Sequence, residues 1–155
     1  MDEVQANTSK TLTLTLGADP TGNSVNAILT HAWSDEVVKA STACTRSSAG
    51  VYTITYGEKE AGSANYYLNA SGTHRVQFSY TVSGTAYTTD QYIDVYDPYV
   101  TSADFFAIHT GLQSAYSSSF NTYERKVRRI INTYCGQDFY NYPSKTVSID
   151  GNGNQ

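Results

Sequence analysis

Three histidines, two cysteines and a handful of carboxylates are the residues of this chain with chemistry to offer, and their spacing limits what that chemistry is. His31, His74 and His109 lie far apart, in segments of strand, strand-start and helix character, so a shared metal site would need the fold to gather all three. Asp90, Asp94 and Asp97 offer oxygen ligands for calcium at the end of a β structure, although solvated carboxylates are the commoner outcome for such residues. The C-terminal run Asp150-Gly-Asn-Gly-Asn-Gln carries oxygens at the first, third and fifth positions of a calcium loop, but has no glycine at the sixth. There is no glycine-rich phosphate loop, nucleophile elbow or Cys-x-x-Cys pair. The expectation is a protein that is not an enzyme, with no catalytic residues, cofactor or metal.

Cys44 and Cys135 fall in segments of different character and read as two idle thiols, with a disulfide as the alternative. Asn7-Thr-Ser and Asn69-Ala-Ser fit glycosylation acceptors, which matter only in a secreted protein. The opening MDEVQANTSK has no apolar stretch behind a basic start, so no signal peptide is expected. Nor does any run approach the ~18 apolar residues of a membrane span, so no membrane partner is expected.

The elements that must position these residues are mostly strands. The chain has 155 residues, 14 of them tyrosine, with 15% charged residues and a net charge of −4. TLTLTL at 11–16 alternates strictly and puts Leu12, Leu14 and Leu16 on one face of a strand. VNAILTHAW, EVVKASTACT, VYTITY, a short edge segment NYYLNASG, RVQFSYTV and AYTTDQYIDVY come next, separated by turn residues. In RVQFSYTV, Val76, Phe78, Tyr80 and Val82 share a face, and Ser83-Gly84 signals a two-residue hairpin turn. About seven short strands at this spacing predict an immunoglobulin-like β-sandwich over 1–98, in architecture only, because Trp33 does not lie between the cysteines as in antibody domains. The expected class is mainly β with C-terminal helices: a helical segment over 99–142 and an extended polar tail over 143–155.

Past Asp97-Pro98 the period changes. Thr101 or Ser102 can cap a short helix with Asp104 in its first turn. A second helix, from about Ser119 to Cys135, carries Phe120, Tyr123, Val127, Ile130, Ile131 and Tyr134 at steps of three and four, with Tyr123, Val127 and Ile131 expected inward. Glu124 and Arg128 stand four apart in the order that favours an ion pair. Four of the ten Lys and Arg residues fall within Arg125–Arg129, whereas residues 1–98 hold five basic and ten acidic residues, net −5. Arg125, Lys126, Arg128 and Arg129 admit three readings: a solvated helix face, contact with acidic protein surfaces, or contact with DNA in a channel, the last disfavoured by the acidic pI.

The helix and the segment after it carry a resemblance. The helix closes in Tyr134-Cys-Gly136-Gln-Asp-Phe139, succeeded by Tyr142-Pro143 and Val147-Ser-Ile149-Asp-Gly151. With Ile130 or Ile131 before it, this pattern resembles the tailed-bacteriophage head–tail connector (adaptor) proteins over residues 101–151. The resemblance implies a structural virion protein at the neck, assembled in the host cytoplasm into a homo-oligomeric ring, commonly twelve-fold in that family. Portal and tail proteins would be its neighbours, and genomic DNA would pass through the lumen with at most weak contact. Phe120, Tyr123, Val127, Ile130, Ile131, Tyr134 and Phe139 would then form the interface. The alternative is an immunoglobulin-like module binding carbohydrate or a cell surface through Tyr66, Tyr67, Tyr87, Tyr92, Tyr96 and Tyr99; a tail, baseplate or decoration role is a further variant.

Overall fold

The computed structural model describes residues 2–135, which fall into two compact units, 2–96 and 97–135. The first is β-rich and the second helical. The first unit has eight strands: β1 Asp2–Gln5, β2 Thr11–Thr15, β3 Val25–His31, β4 Val37–Ala43, β5 Thr45–Ser48, β6 Val51–Thr55, β7 Gly72–Val82 and β8 Thr85–Tyr96. They form a five-stranded sheet in the order β1-β8-β7-β3-β4 and a three-stranded sheet in the order β2-β6-β5. All neighbours are antiparallel except β1, which runs parallel to β8 with Asp2 opposite Ile93 and Gln5 opposite Tyr96.

Alternation decides which side chains are buried, because successive residues of a strand point to opposite faces. Leu12 and Leu14 of β2 and Tyr52 and Ile54 of β6 meet Val25, Ala27 and Leu29 of β3, Val76 and Phe78 of β7, and Ile93 and Val95 of β8 in one core. Tyr80 is only half-buried and Val82 is exposed, so the far end of the β7–β8 hairpin runs past that core. Ser83 and Gly84 turn the hairpin with φ of 48° and 84°, the doubly positive pair that matches the twist of the flanking strands.

Three segments depart from the strands that alternation predicts. NYYLNASG forms no strand: its β pairing is an isolated bridge of Tyr66 with Lys59, while its Leu68 is fully buried in the core. Residues 2–5 and 45–48, too short and polar to stand out, are the strands β1 and β5, each held at an edge by a longer neighbour.

Asp19 fastens the loop after β2 to the smaller sheet. Its Oδ1 accepts from Arg46 Nε at 3.0 Å, Gly50 N at 2.9 Å and Tyr52 Oη at 2.8 Å, and its Oδ2 from Arg46 Nη2 at 2.6 Å. The Arg46 guanidinium, helped by the Gly50 amide and the Tyr52 hydroxyl, holds the Asp19 carboxyl well below the usual range. Gly50 is in the left-handed region at φ 69°, and a Cβ there would lie 2.5 Å from the Leu16 carbonyl oxygen. Only glycine meets both conditions.

Candidate interaction surface

The helical unit begins with α1, Ser102–Ile108. Thr101 caps it: its Oγ1 accepts from Asp104 N at 3.1 Å and donates to Asp104 Oδ2 at 2.6 Å. A 3-10 turn and the single-turn helix α2, Gln113–Tyr116, lead to α3, Phe120–Cys135. Phe105, Phe106 and Phe120 gather with ring centroids 5.3–5.5 Å apart, which pins the start of α3 to α1.

Three rows of side chains run along α3 at four-residue steps, each about 60° round the helix from the next. The buried row is Phe120, Glu124 and Arg128. The second row, Tyr123, Val127 and Ile131, was expected inward; instead it is 55%, 54% and 37% exposed. The third row, Lys126, Ile130 and Tyr134, is exposed throughout, Tyr134 at 91%. The helix is therefore rolled one row from the orientation its apolar stripe predicts. Glu124 accounts for the roll. Its Oε1 accepts the Tyr99 backbone N–H at 2.9 Å and its Oε2 faces Arg128 Nε at 3.5 Å, so the acid–base pair is turned inward to satisfy the entering chain. Tyr99 Oη also donates to Asn132 Oδ1, repeating the clasp two turns later.

Arg128 therefore leaves the exposed basic face to which its spacing assigned it: it is only 2% exposed. Lys126 and Arg129 stay exposed and Arg125 is half-buried. Lys126 Nζ lies 5.8 Å from the Tyr123 ring centre.

The roll leaves an open cavity of about 470 Å³ between α3 and the preceding helical turns. Its wall includes Leu112, Tyr116, Tyr123, Val127 and Ile131, and Glu124 with Arg128 is the charged pair in its lining. Such a lining suits apolar side chains. Of the interface residues expected from sequence, Phe120 is spent on the internal aromatic cluster, Tyr123, Val127 and Ile131 line the cavity, and Ile130 and Tyr134 project beside it. Phe139, together with Gly136, Val147, Ile149 and Gly151, lies outside the described residues.

The remaining candidates are dispersed. His31 and His74 come together as cross-strand partners, whereas His109 packs on Phe105 in the helical unit. Among the described residues, no group of three or more His, Cys, Asp or Glu could hold a metal ion. Asp90 and Asp94 project from the same face of β8 roughly 13 Å apart, too far to share one calcium ion. Cys44 and Cys135 are free thiols, and burial pushes Cys44 up to about 11. Of the tyrosines, Tyr96 is buried and Tyr87 stacks on Tyr80 at 5.8 Å. Among the described residues, no helix is long and apolar enough to cross a membrane. The site that the sequence did not disclose is the cavity itself, because it depends on the Tyr99–Glu124 contact between residues 25 apart.

The chain matches no family model and no curated protein.

Proposed function

We propose that the chain is a structural virion protein of a tailed bacteriophage, a head–tail connector that assembles as a ring at the neck between portal and tail. The observation that carries this reading is the apolar surface of α3. A helix whose second and third rows carry Tyr123, Val127, Ile131, Ile130 and Tyr134 beside Lys126, with all five apolar or aromatic side chains exposed and four of them more than half so, is built to be covered. The sequence pattern closing that helix is the one that resembles connectors. The protein acts by assembly and not by catalysis, and its surroundings are the virion.

The β-rich unit is read as an immunoglobulin-like sandwich. The order β8-β7-β3-β4 corresponds to the G, F, C and C′ strands of that architecture, and β2-β6-β5 to B, E and D. On this reading it is an outer module carried by the ring. The experiment is to combine the purified protein with portal and tail proteins of one phage and to image the product by electron microscopy. A ring of this protein at the portal–tail junction is the expected result; absence from assembled necks would overturn the proposal.

A second reading draws on Tyr87, stacked on Tyr80 beside an open groove of about 240 Å³. That arrangement suits the face of a sugar ring, and a glycan array with wild type and Tyr87→Ala tests it.

A further inference from the structure

The geometry points to a binding site in the β-rich unit that takes a primary ammonium group on an aliphatic stem. It lies where the turn between β3 and β4 meets the loop after β6, and it does not rest on the neck reading. His31 ends β3, and its backbone N–H donates to the Glu36 carbonyl at 2.9 Å, which closes the turn and brings Glu36 round beside it. In the facing loop, the backbone N–H of Glu60 donates to the Asn65 carbonyl at 2.8 Å, next to the Lys59–Tyr66 bridge. Leu68 ties that loop to the core between Tyr67 and Asn69. His31, Glu36, Glu60, Tyr66, Tyr67 and Asn69 thereby come to line an open cavity of about 150 Å³.

His31 is the sign of a ligand. It is only 8% exposed, and that exposure is to the cavity, yet neither ring nitrogen has a hydrogen bond among the described residues. Its ring neighbour is His74, at 4.5 Å between centroids. Buried polar groups as a rule have a partner, so one left open toward a cavity calls for a group to fill it.

Charge, acceptors and size select that group. Glu36 and Glu60 form no ion pair among the described residues, and the lining holds no cation, so an anion is repelled. Lysines of the same segments are engaged elsewhere, Lys39 with Glu58 and the Tyr67 ring, and Lys59 over the Tyr66 ring. Burial holds the His31 imidazole below its ordinary range, against the pull of Glu36, so at neutral pH it is uncharged and offers a lone pair. With two carboxylates and the Asn69 amide oxygen beside it, the lining has acceptors for all three N–H bonds of an ammonium. The cavity has room for about five waters at ~30 Å³ each, which an aminobutyl group fills and a hexose, with over twice as many heavy atoms, exceeds. Val37 and Val38 complete the lining and suit the stem, while the tyrosine faces attract the cation. A small free amine and a lysine side chain both present this chemistry.

The test is a titration of the full chain with n-butylammonium at constant ionic strength, read by nuclear magnetic resonance of the imidazole and tyrosine rings. Saturable shifts are expected at His31 and at Tyr66 or Tyr67, and none with n-butanol. Glu36→Gln combined with Glu60→Gln should weaken binding by about tenfold or more, because it removes two charged acceptors. Both side chains are exposed, so the fold should hold; Glu60→Gln alone serves if it does not. A blocked tripeptide with a central lysine distinguishes the sources. Tighter binding than n-butylammonium assigns the site to a protein lysine, weaker binding to a free amine, and either upholds it. Shifts that do not saturate, equal binding of n-butanol, or unchanged affinity in the double variant would overturn the site. So would methyl glucoside binding at the same residues more tightly than the amine.

Discussion

His31 and His74 face each other across β3 and β7, with ring centroids 4.5 Å apart, and both are buried. His74 Nδ1 contacts the Gly72 carbonyl at 3.1 Å, while its Nε2 has no hydrogen-bond partner among the described residues. Burial, with the neighbouring His31, depresses His74 to about 4; burial also lowers His31, against the pull of Glu36. The unfolded chain therefore binds a proton near pH 6.5 that the folded chain refuses until about pH 4. Stability is full above the unfolded value and falls as pH drops through this window, by roughly 3 kcal/mol in all. Urea midpoints at pH 7 and pH 4.5 should differ less in His74→Leu than in wild type. Equal pH dependence in the two proteins would contradict the assignment.

Gly50→Ala tests the turn held by Asp19. The left-handed backbone alone costs about 1–2 kcal/mol with a side chain present, and the clash with the Leu16 carbonyl adds to it. The expected loss exceeds that of an alanine at Gly84, where a Cβ meets open space. Thermal melts of both variants check the ranking.

Glu124→Ala should cost roughly 3–5 kcal/mol, because it removes the acceptor of the Tyr99 amide and uncouples a buried guanidinium. Replacing both members, as Glu124→Leu with Arg128→Met, should recover much of that loss. The readout is helical circular dichroism during denaturation of the full chain. A single substitution as mild as the double one would show that the pair does not orient α3.

The basic face comprises Arg125, Lys126 and Arg129, without Arg128. Changing the three to Gln should weaken assembly while duplex DNA affinity stays negligible. If they face a genome instead, wild type should bind DNA with a salt slope of about 0.9 per phosphate neutralised, and the variant should lose it. Fluorescence anisotropy across a salt series distinguishes the outcomes.

Features that depend on neighbours in the chain were legible in the sequence. Alternation revealed β2 through Leu12 and Leu14, and β7 through Val76 and Phe78, because a strand's buried face repeats every second residue. Ser83-Gly84 and Thr101 announced a turn and a cap whose bonds are local. Strand β1 was hidden because its pairing comes from β8 at the other end of the unit, and β5 because all four of its residues are exposed. The stripe on α3 was visible, but its direction was not. Hydrophobic period alone turns Val127 inward; the Tyr99 amide, whose demand for an acceptor Glu124 meets, turns it out. The meeting of His31 with His74 left no trace in either local segment.

The parallel pairing of β1 with β8 gives the β-rich unit a mechanical character. Chain entering at Asp2 and chain leaving at Tyr96 attach to opposite ends of two strands that run side by side in the same direction. Tension applied through those two ends pulls along the strands, so it loads the bonds of that ladder in shear, all at once. Hairpins such as β7–β8, pulled from their open end, would instead unzip one bond at a time. A protein tethered on both sides would thus meet force at its most resistant seam, and the rate of forced unfolding would be set by the short ladder from Asp2 to Gln5.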